Sequence, residues 1–230
     1  MREIGSRIIV VCLVSMALTM PTATLAEKSV QLPKPSFKGK MSVEAAIRGK
    51  KSVRRFSKTP LSLQEVSQIL WATYGRLPAD AVSGATIKVT PSAGGLYPLD
   101  IFLVTGEGTV KGLPEGVYMY KPQANSLLYV ASGDNRKLLA YASLSQMWIS
   151  RAPAIVVIAA TFSRTTAKYG QRGIQYVFME AGHANQNMYL QAEAMGLHLG
   201  TVGAMNDPQV AAVLKLPRTI KPLLVVPVGK

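Results

Sequence analysis

The sequence predicts an α+β protein in which helices pack on a single sheet. The longest helical pattern covers residues 173–195, where apolar residues recur at the 3.6-residue period. Three continuously apolar segments, 101–105, 154–161 and 222–228, are typical of strands buried on both faces. Residues 117–130 contain two short apolar segments around a turn and predict a hairpin. At 230 residues, the chain is long enough to bury a substantial core as one domain.

The N-terminal 26 residues have the pattern of a secretory signal peptide, which predicts a periplasmic or secreted protein. Two arginines precede the apolar run Ile8–Met20, and Thr24-Leu25-Ala26 places small residues where export peptidases cut. The run is too short and too weakly flanked to predict a membrane span, so no stable span is expected after cleavage; a retained anchor is the alternative. Cys12 is the single cysteine and lies in this segment, so the mature protein is expected to have no disulfide and no thiol nucleophile.

The next part of the chain predicts an arm and two helices. Residues 27–40 are polar and contain two prolines, which predicts an extended N-terminal arm ahead of a folded domain at 41–230. A short helix is predicted over Ser42–Arg48. The second helix begins at the capping box Ser62-Leu63-Gln64-Glu65, and Gly75 ends it. The segment that follows is loop-like.

Three helices are predicted in the second half of the chain. Asp134 is expected to cap a helix that runs to about Trp148. Asp207 and Pro208 combine a capping residue with a proline suited to the first helical turn. The apolar stripe of the long helix is expected to face the core, and it consists of Ile174, Val177, Phe178, Ala181, Asn185, Met188, Ala192 and Met195.

The net charge is +14, but the distribution of charge does not favour nucleic-acid binding. Lysines and arginines are scattered, and aromatic residues do not alternate with them as in single-strand binders. The one dense basic cluster consists of Arg48, Lys50, Lys51, Arg54 and Arg55. These cations and the Ser52 hydroxyl suit a phosphate monoester, because Arg donates bidentate hydrogen bonds and Ser adds a small donor. A solvated charged corner is the alternative.

Several catalytic motifs are absent from the sequence. It has no G-x-S-x-G nucleophile elbow, no P-loop and no G-x-G-x-x-G dinucleotide motif. His183 and His198 are the only histidines, so a histidine-rich metal site is excluded and no metal is expected. We expect both histidines to pack or to hydrogen-bond rather than to catalyse.

The segment Thr90–Pro98 is the main candidate for a ligand-binding loop. Two prolines bracket Gly94 and Gly95, and because glycines lack Cβ atoms the backbone there can lie against a flat ligand. A plain turn before a buried strand is the alternative. A second glycine-bearing loop is predicted at 197–203. A basic phosphate cluster and two such loops favour a cofactor with a phosphate tail and a flat polar ring, which is the shape of FMN.

These motifs resemble those of the FMN-dependent nitroreductase superfamily, and within it the SagB or McbC type of dehydrogenase, which oxidises azolines in modified peptides. The resemblance covers about residues 42–229 and is carried by Ser52-Val53-Arg54, Pro91–Pro98, Glu180–His183 with Gln186-Asn187, and Gly196–Thr201. It implies a nitroreductase-like α+β fold with a central, mostly antiparallel sheet flanked by helices. It also implies a homodimer with FMN at the subunit interface.

The resemblance implies roles for particular residues. The phosphate would be held by Lys50, Lys51, Ser52 and Arg54, although the family usually has arginines at the first two positions, which add bidentate geometry. The isoalloxazine would be lined by Pro91, Ser92, Ala93 and Gly94, and the second loop would contact the cofactor through Leu199, Gly200 and Thr201.

A catalytic role is implied for Lys168 and Tyr169, which stand just before the long helix. An amine can take a proton, and a phenol can relay or orient it. An exposed lysine beside a packed tyrosine is the alternative.

The sequence therefore leads to an exported FMN-dependent oxidoreductase that exchanges a hydride between flavin N5 and a small molecule or modified peptide. Because NAD(P)H is scarce outside the cytoplasm, oxygen, a quinone or a redox partner suits better as the electron partner. One alternative is a non-catalytic flavin-binding or carrier protein of the same fold. Another is a basic envelope-binding module without a cofactor, which rests on charge alone.

Overall fold

The computed structural model describes residues 28–78 and 87–230. The predicted signal peptide, residues 1–26, lies outside the described residues. In the described part of the chain, seven strands form one sheet in the order β1-β4-β3-β2-β5-β7-β6, and all neighbouring strands are antiparallel. The strands are β1 (Ser29–Gln31), β2 (Leu99–Thr105), β3 (Gly116–Lys121), β4 (Ser126–Ser132), β5 (Ala154–Ala160), β6 (His198–Leu199) and β7 (Lys221–Gly229). The predicted α+β class with a central antiparallel sheet is confirmed.

Helices cover both faces of the sheet. They are α1 (Val43–Gly49), α2 (Leu63–Tyr74), α3 (Arg136–Ala142), α4 (Ser163–Tyr169), α5 (Arg172–Ala194) and α6 (Asp207–Val213). Ile101 and Leu103 of β2 belong to a core cluster shared with α2 and α5, and Phe102 and Val104 belong to a second cluster shared with α3 and α6. Because successive side chains of a strand alternate between faces, a central strand with both faces covered is apolar throughout. None of the helices in the described residues is long and apolar enough to cross a membrane.

The start of α2 follows the sequence signal closely. The Ser62 hydroxyl accepts a hydrogen bond from the backbone N–H of Glu65 at 3.2 Å, and the Glu65 carboxylate accepts one from the N–H of Ser62 at 2.7 Å. The capping box is therefore complete, as predicted. The same carboxylate forms an ion pair with Lys230 at 2.9 Å, which holds the C-terminal residue to this helix.

The N-terminal arm joins the domain instead of extending away from it. Its strand β1 pairs with β4, and Ser36 exchanges two hydrogen bonds with the Gln68 side chain of α2, at 2.8 and 3.0 Å. The arm supplies the edge strand of the sheet.

Two helix predictions were wrong in their limits. The helix expected from Asp134 to Trp148 ends at Ala142, because Leu144 and Ser145 take positive φ values of 55° and 59°, and a separate 3₁₀ helix follows at Met147–Arg151. The start of α6 is capped by Asn206, whose side chain accepts from the N–H of Gln209, and not by Asp207.

The apolar stripe predicted for α5 faces the core only in part. Val177, Ala181 and Met188 are buried, whereas Phe178 is 54% exposed and packs edge-on against Phe162 at 5.6 Å between ring centroids.

Candidate functional site

The predicted phosphate-binding segment lies against the second glycine loop. Ser52 forms a parallel bridge with Leu199, and the N–H of Val53 donates to the carbonyl of Leu199 at 2.9 Å. The pairing brings the segment Lys50–Arg54 next to Leu199–Thr201. The structure therefore joins two sets of residues that the sequence could connect only through the family resemblance.

Two side chains of α5 complete this group. The Ser52 hydroxyl is hydrogen-bonded to the Tyr189 hydroxyl at 2.9 Å, and the Thr201 hydroxyl donates to Asn185 at 2.9 Å. Lys50 places its ammonium 5.2 Å from the centroid of the Tyr189 ring. Neither Tyr189 nor Asn185 is predicted from the sequence to contact a ligand, and Asn185 falls in the predicted apolar stripe of the long helix.

The cations of this segment are free to meet an anion. Lys50, Lys51 and Arg54 are exposed, and none of them belongs to an ion pair among the described residues. The Arg54 guanidinium lies 5.7 Å from the ring centroid of Trp148, which orients it without neutralising it. Three cations beside a hydroxyl suit a phosphate dianion in charge and in donor chemistry. We call Lys50, Lys51, Ser52, Arg54, Tyr189 and Thr201 the phosphate cluster.

Gly200 is required by the close approach of these two segments. A Cβ atom on this residue would lie 2.6 Å from the carbonyl oxygen of Val53 and 2.9 Å from the indole ring of Trp148. The backbone of Val53 cannot yield without opening the pairing with Leu199.

We expect Gly200→Ala to lower the free energy of unfolding by about 1–3 kcal/mol, the usual cost of overpacking. Gly203→Ala is the matched control, since a Cβ there would meet only Leu224, at an ordinary 3.9 Å. Urea unfolding of the two variants measures the difference. Equal stabilities would contradict the close approach at Gly200.

The Thr90–Pro98 loop forms a tight turn against α4. Ala93–Gly95 is a single 3₁₀ turn in which Gly94 and Gly95 have φ values of 61° and 66°, and the Ser92 hydroxyl accepts from the N–H of Tyr97 at 2.9 Å. A Cβ on Gly94 would lie 2.7 Å from the Tyr169 hydroxyl and 3.2 Å from the Lys168 ammonium. The loop and the Lys168-Tyr169 pair thus meet at a position where only glycine fits.

The Lys168-Tyr169 pair stands at the end of α4. Lys168 is exposed and lies 5.4 Å from the Tyr169 ring centroid, while Tyr169 is half-buried and packs edge-on against Tyr176 at 5.2 Å. Burial alone would fit an exposed lysine beside a packed tyrosine. The further observation is that both polar atoms lie beside the position that a Gly94 side chain would occupy, next to the backbone of the candidate ligand loop.

The buried carboxylate of Glu180 lies in a hydrogen-bond network next to the Thr90–Pro98 loop. Glu180 of α5 accepts a hydrogen bond from the Tyr74 hydroxyl at 2.6 Å, and that hydroxyl accepts from the N–H of Leu99 at 3.1 Å. Burial raises the pKa of Glu180, and hydrogen bonds from Ser92 and Tyr74 oppose this shift. The network ties α2, α5 and β2 to the loop residue Ser92.

In the sequence, Glu180 is part of the Glu180–His183 motif, which by itself predicts no role for this residue. A signal was present, because Glu180 lies in helical register with the buried residues Val177 and Ala184. An acidic residue on an apolar helix face needs a partner. We call Ser92, Gly94, Lys168, Tyr169 and Glu180 the loop cluster.

The two clusters lie along one helix. Glu180 belongs to the loop cluster and Tyr189 to the phosphate cluster, and the two lie nine positions apart on α5, which is about 13 Å of helix. Between them Asn187 donates to the Thr90 hydroxyl at 3.3 Å. Among residues 28–78 and 87–230, no group of three or more His, Cys, Asp or Glu side chains is placed to hold a metal ion.

Comparison with known proteins identifies the family of this chain. Residues 47–230 match the model of the nitroreductase family, a range that includes both clusters. A protein of Methanocaldococcus jannaschii named as a nitroreductase is 40% identical over 190 residues, covering 83% of this chain and 91% of that protein. The microcin B17-processing protein McbC of Escherichia coli is 29% identical over 174 residues, covering 73% of this chain and 62% of McbC.

Solved structures show the same fold. A nitroreductase-like structure from Ralstonia eutropha superposes with a TM-score of 0.75 at 26% identity, covering 89% of this chain and 90% of that one. The E. coli microcin synthetase McbBCD complex, with truncated pro-MccB17 bound, contains a chain with a TM-score of 0.67 at 24% identity, covering 95% of this chain and 84% of that one. The resemblance inferred from the loop motifs is confirmed, and the chain belongs to the nitroreductase family.

Proposed function

We propose that this protein is an FMN-dependent oxidoreductase that exchanges a hydride between flavin N5 and a small-molecule or modified-peptide substrate. Membership of the nitroreductase family supports oxidoreductase chemistry in general. The observation that carries the more specific proposal is the convergence of the Tyr169 hydroxyl and the Lys168 ammonium on Gly94. It supports a role for this pair as proton donor and acceptor, beside a loop residue that has no side chain.

FMN fits the residues that are present. The phosphate cluster offers exposed cations and hydroxyls to a phosphate monoester, and Gly94 offers bare backbone to a flat ring. When bound, the flavin would supply the two-electron chemistry that side chains lack. Leu199, Gly200 and Thr201 would line the phosphate end, and Pro91, Ser92 and Ala93 the ring end.

The roles of this chain's own residues follow from their chemistry. Lys168 would take a proton from the substrate, or return one, as the hydride moves. Tyr169 would orient that amine and share a hydrogen bond with the reacting group, and its packing against Tyr176 fixes the ring. Glu180 would act as a positioning residue, because its hydrogen bonds connect the loop residue Ser92 to Tyr74 of α2.

The substrate class is suggested by one relative. McbC is named for microcin B17 processing, and the similarity to it extends over 73% of this chain. We propose a SagB-type dehydrogenase whose substrate is an azoline in a modified peptide or a comparable small molecule. We also propose that residues 1–26 direct export to the periplasm or beyond, with oxygen, a quinone or a redox partner as the electron partner.

A homodimer is supported by apolar surface on two helices. Val43 and Ile47 of α1 are 65% and 54% exposed, and Phe178 and Met179 of α5 are 54% and 51% exposed. Apolar patches of this kind mark interfaces. We propose that they are covered by a second copy, which would shield the cofactor from water.

The test is quinone-linked turnover. A peptide containing an azoline is the electron donor, and the azoline loses two electrons and two protons to become the azole. A water-soluble quinone takes up the two electrons and the two protons and becomes the hydroquinone. We expect repeated turnover by the flavin-loaded protein. The carrier alternative is tested by photoreducing the bound flavin and adding the quinone. If the bound flavin were reoxidised no faster than it is released from the protein, the enzymatic role would be contradicted and the carrier role would be favoured.

A further inference from the structure

A cavity of about 380 Å³ lies between the sheet and the Thr90–Pro98 loop, next to the loop cluster. The wall is formed by α2, the Thr90–Pro98 loop, α4, the first residues of β2 and the last residues of β3. Its lining includes Tyr74, Lys88, Tyr97, Asp100, Lys121 and Arg164. This volume is in the range of small-molecule sites. No residue of the phosphate cluster lines it.

The lining carries more positive than negative charge. Among residues 28–78 and 87–230, it contains three cationic residues and one acidic residue. Asp100 is already committed, because one oxygen accepts from two Arg164 nitrogens at 3.0 Å and the other from the Thr161 hydroxyl at 2.8 Å. The Lys121 ammonium lies 3.4 Å from the sulfur of Met119 and forms no ion pair in the described part of the chain. Two ammonium groups therefore face the cavity without a carboxylate.

Lys88 is the distinctive group of this cavity. Its ammonium lies 3.7 Å from the ring centroid of Tyr74 and 4.9 Å from that of Tyr97, and it makes no ion pair or side-chain hydrogen bond within the described residues. Burial lowers the pKa of Lys88 to about 8, and the Glu180 carboxylate opposes that shift. The hydrogen bonds of Glu180 go elsewhere, to Tyr74 and Ser92.

A partly buried ammonium held between two aromatic faces lacks the oxygen acceptor that would compensate its desolvation. We propose that this cavity binds the carboxylate of a small organic acid, with Lys88 as the main anchor and Lys121 as the second. Apolar lining from Leu96, Ile101 and Met119 would hold an aromatic or aliphatic body. A carboxylate suits two single-point donors better than phosphate does, because the bidentate Arg164 is already paired.

The proposal is independent of the proposed oxidoreductase function, since it requires neither flavin nor turnover. The test is calorimetric titration of the full chain with sodium benzoate at low salt and pH 7. We expect benzoate to bind and its neutral analogue benzamide to bind at least tenfold more weakly. Inorganic phosphate is expected not to compete at the cavity. Flavin content, read from the visible spectrum, is recorded separately and does not enter the result.

Variants assign the anchor. Lys88→Met is expected to weaken benzoate binding about tenfold or more, and Lys88→Arg to retain most of it. Lys111→Met is the control, because Lys111 is exposed and lies outside the cavity lining. Lys88 is surrounded by Glu180, Asp100, Arg164 and the rings of Tyr74 and Tyr97. Because Lys88 loses its proton near pH 8, benzoate binding to the wild type should weaken as the pH rises through that value. The weak benzoate binding of Lys88→Met should not change over the same range. Equal affinity for benzoate and benzamide, or unchanged affinity in folded Lys88→Met, would overturn the proposal.

Discussion

Replacing Gly94 by alanine is expected to reduce quinone-linked turnover by about a hundredfold, the loss that a misplacement of about 1 Å can produce. The new Cβ would stand 2.7 Å from the Tyr169 hydroxyl and 3.2 Å from the Lys168 ammonium, so both groups must move. The aromatic ring of Tyr169 is rigid and packed against Tyr176, so its hydroxyl cannot simply swing aside.

Gly95→Ala provides a matched control for this prediction. Gly95 has φ of 66° against 61° for Gly94, and a Cβ on Gly95 would meet no atom within 4 Å. Both variants therefore carry the same left-handed strain, about 1–2 kcal/mol, and only Gly94→Ala disturbs the pair. The ratio of the two turnover rates isolates the contact. Equal losses in both variants would show that backbone strain alone is responsible.

Lys168→Ala and Tyr169→Phe are each expected to slow turnover by about 10²–10⁴-fold while flavin remains bound, as is usual when a general acid or base is removed. The phosphate cluster is built from other elements, chiefly the segment 50–54 and α5, so flavin retention should be near that of the wild type. Turnover and visible absorbance are measured on the same samples.

Tyr176→Phe is the control for the phenol. It removes a hydroxyl from the ring that packs against Tyr169 but leaves the edge-on contact in place. Turnover should stay near the wild-type rate. If Lys168→Ala and Tyr169→Phe also turned over at that rate, the proposed roles of both residues would be wrong, and the pair would be an exposed lysine beside a packed tyrosine.

Most of the fold could be predicted because its signals are local. The capping box at Ser62, the apolar runs of β2, β5 and β7, and the long period of α5 each depend on residues close together in the chain. The helix at Asp134 was predicted too long because the positive φ values at Leu144 and Ser145 have no glycine to announce them. The arm's pairing with β4 joins residues about a hundred positions apart, which no local pattern encodes.

The candidate site divides in the same way. The Gly94 loop and the basic segment could be singled out because each is a short run of unusual residues, whereas the Lys168-Tyr169 pair was predicted only through the family resemblance. The residues that connect these runs were missed, since Tyr74, Glu180 and Tyr189 are distant in sequence from the groups they bind. The environment of Lys88 could not be predicted for the same reason, because it is formed by Tyr74 of α2 and Tyr97 of the Thr90–Pro98 loop.

Flavin content is the measurement that tests the central claim most directly. The purified protein is examined by visible absorption spectroscopy, and any pigment is released by heat and identified. We expect a yellow protein that releases FMN. We also expect Arg54→Ala to retain that FMN less well, because the Arg54 guanidinium is exposed and forms no ion pair among the described residues. A colourless protein that also fails to take up added FMN would contradict the central claim.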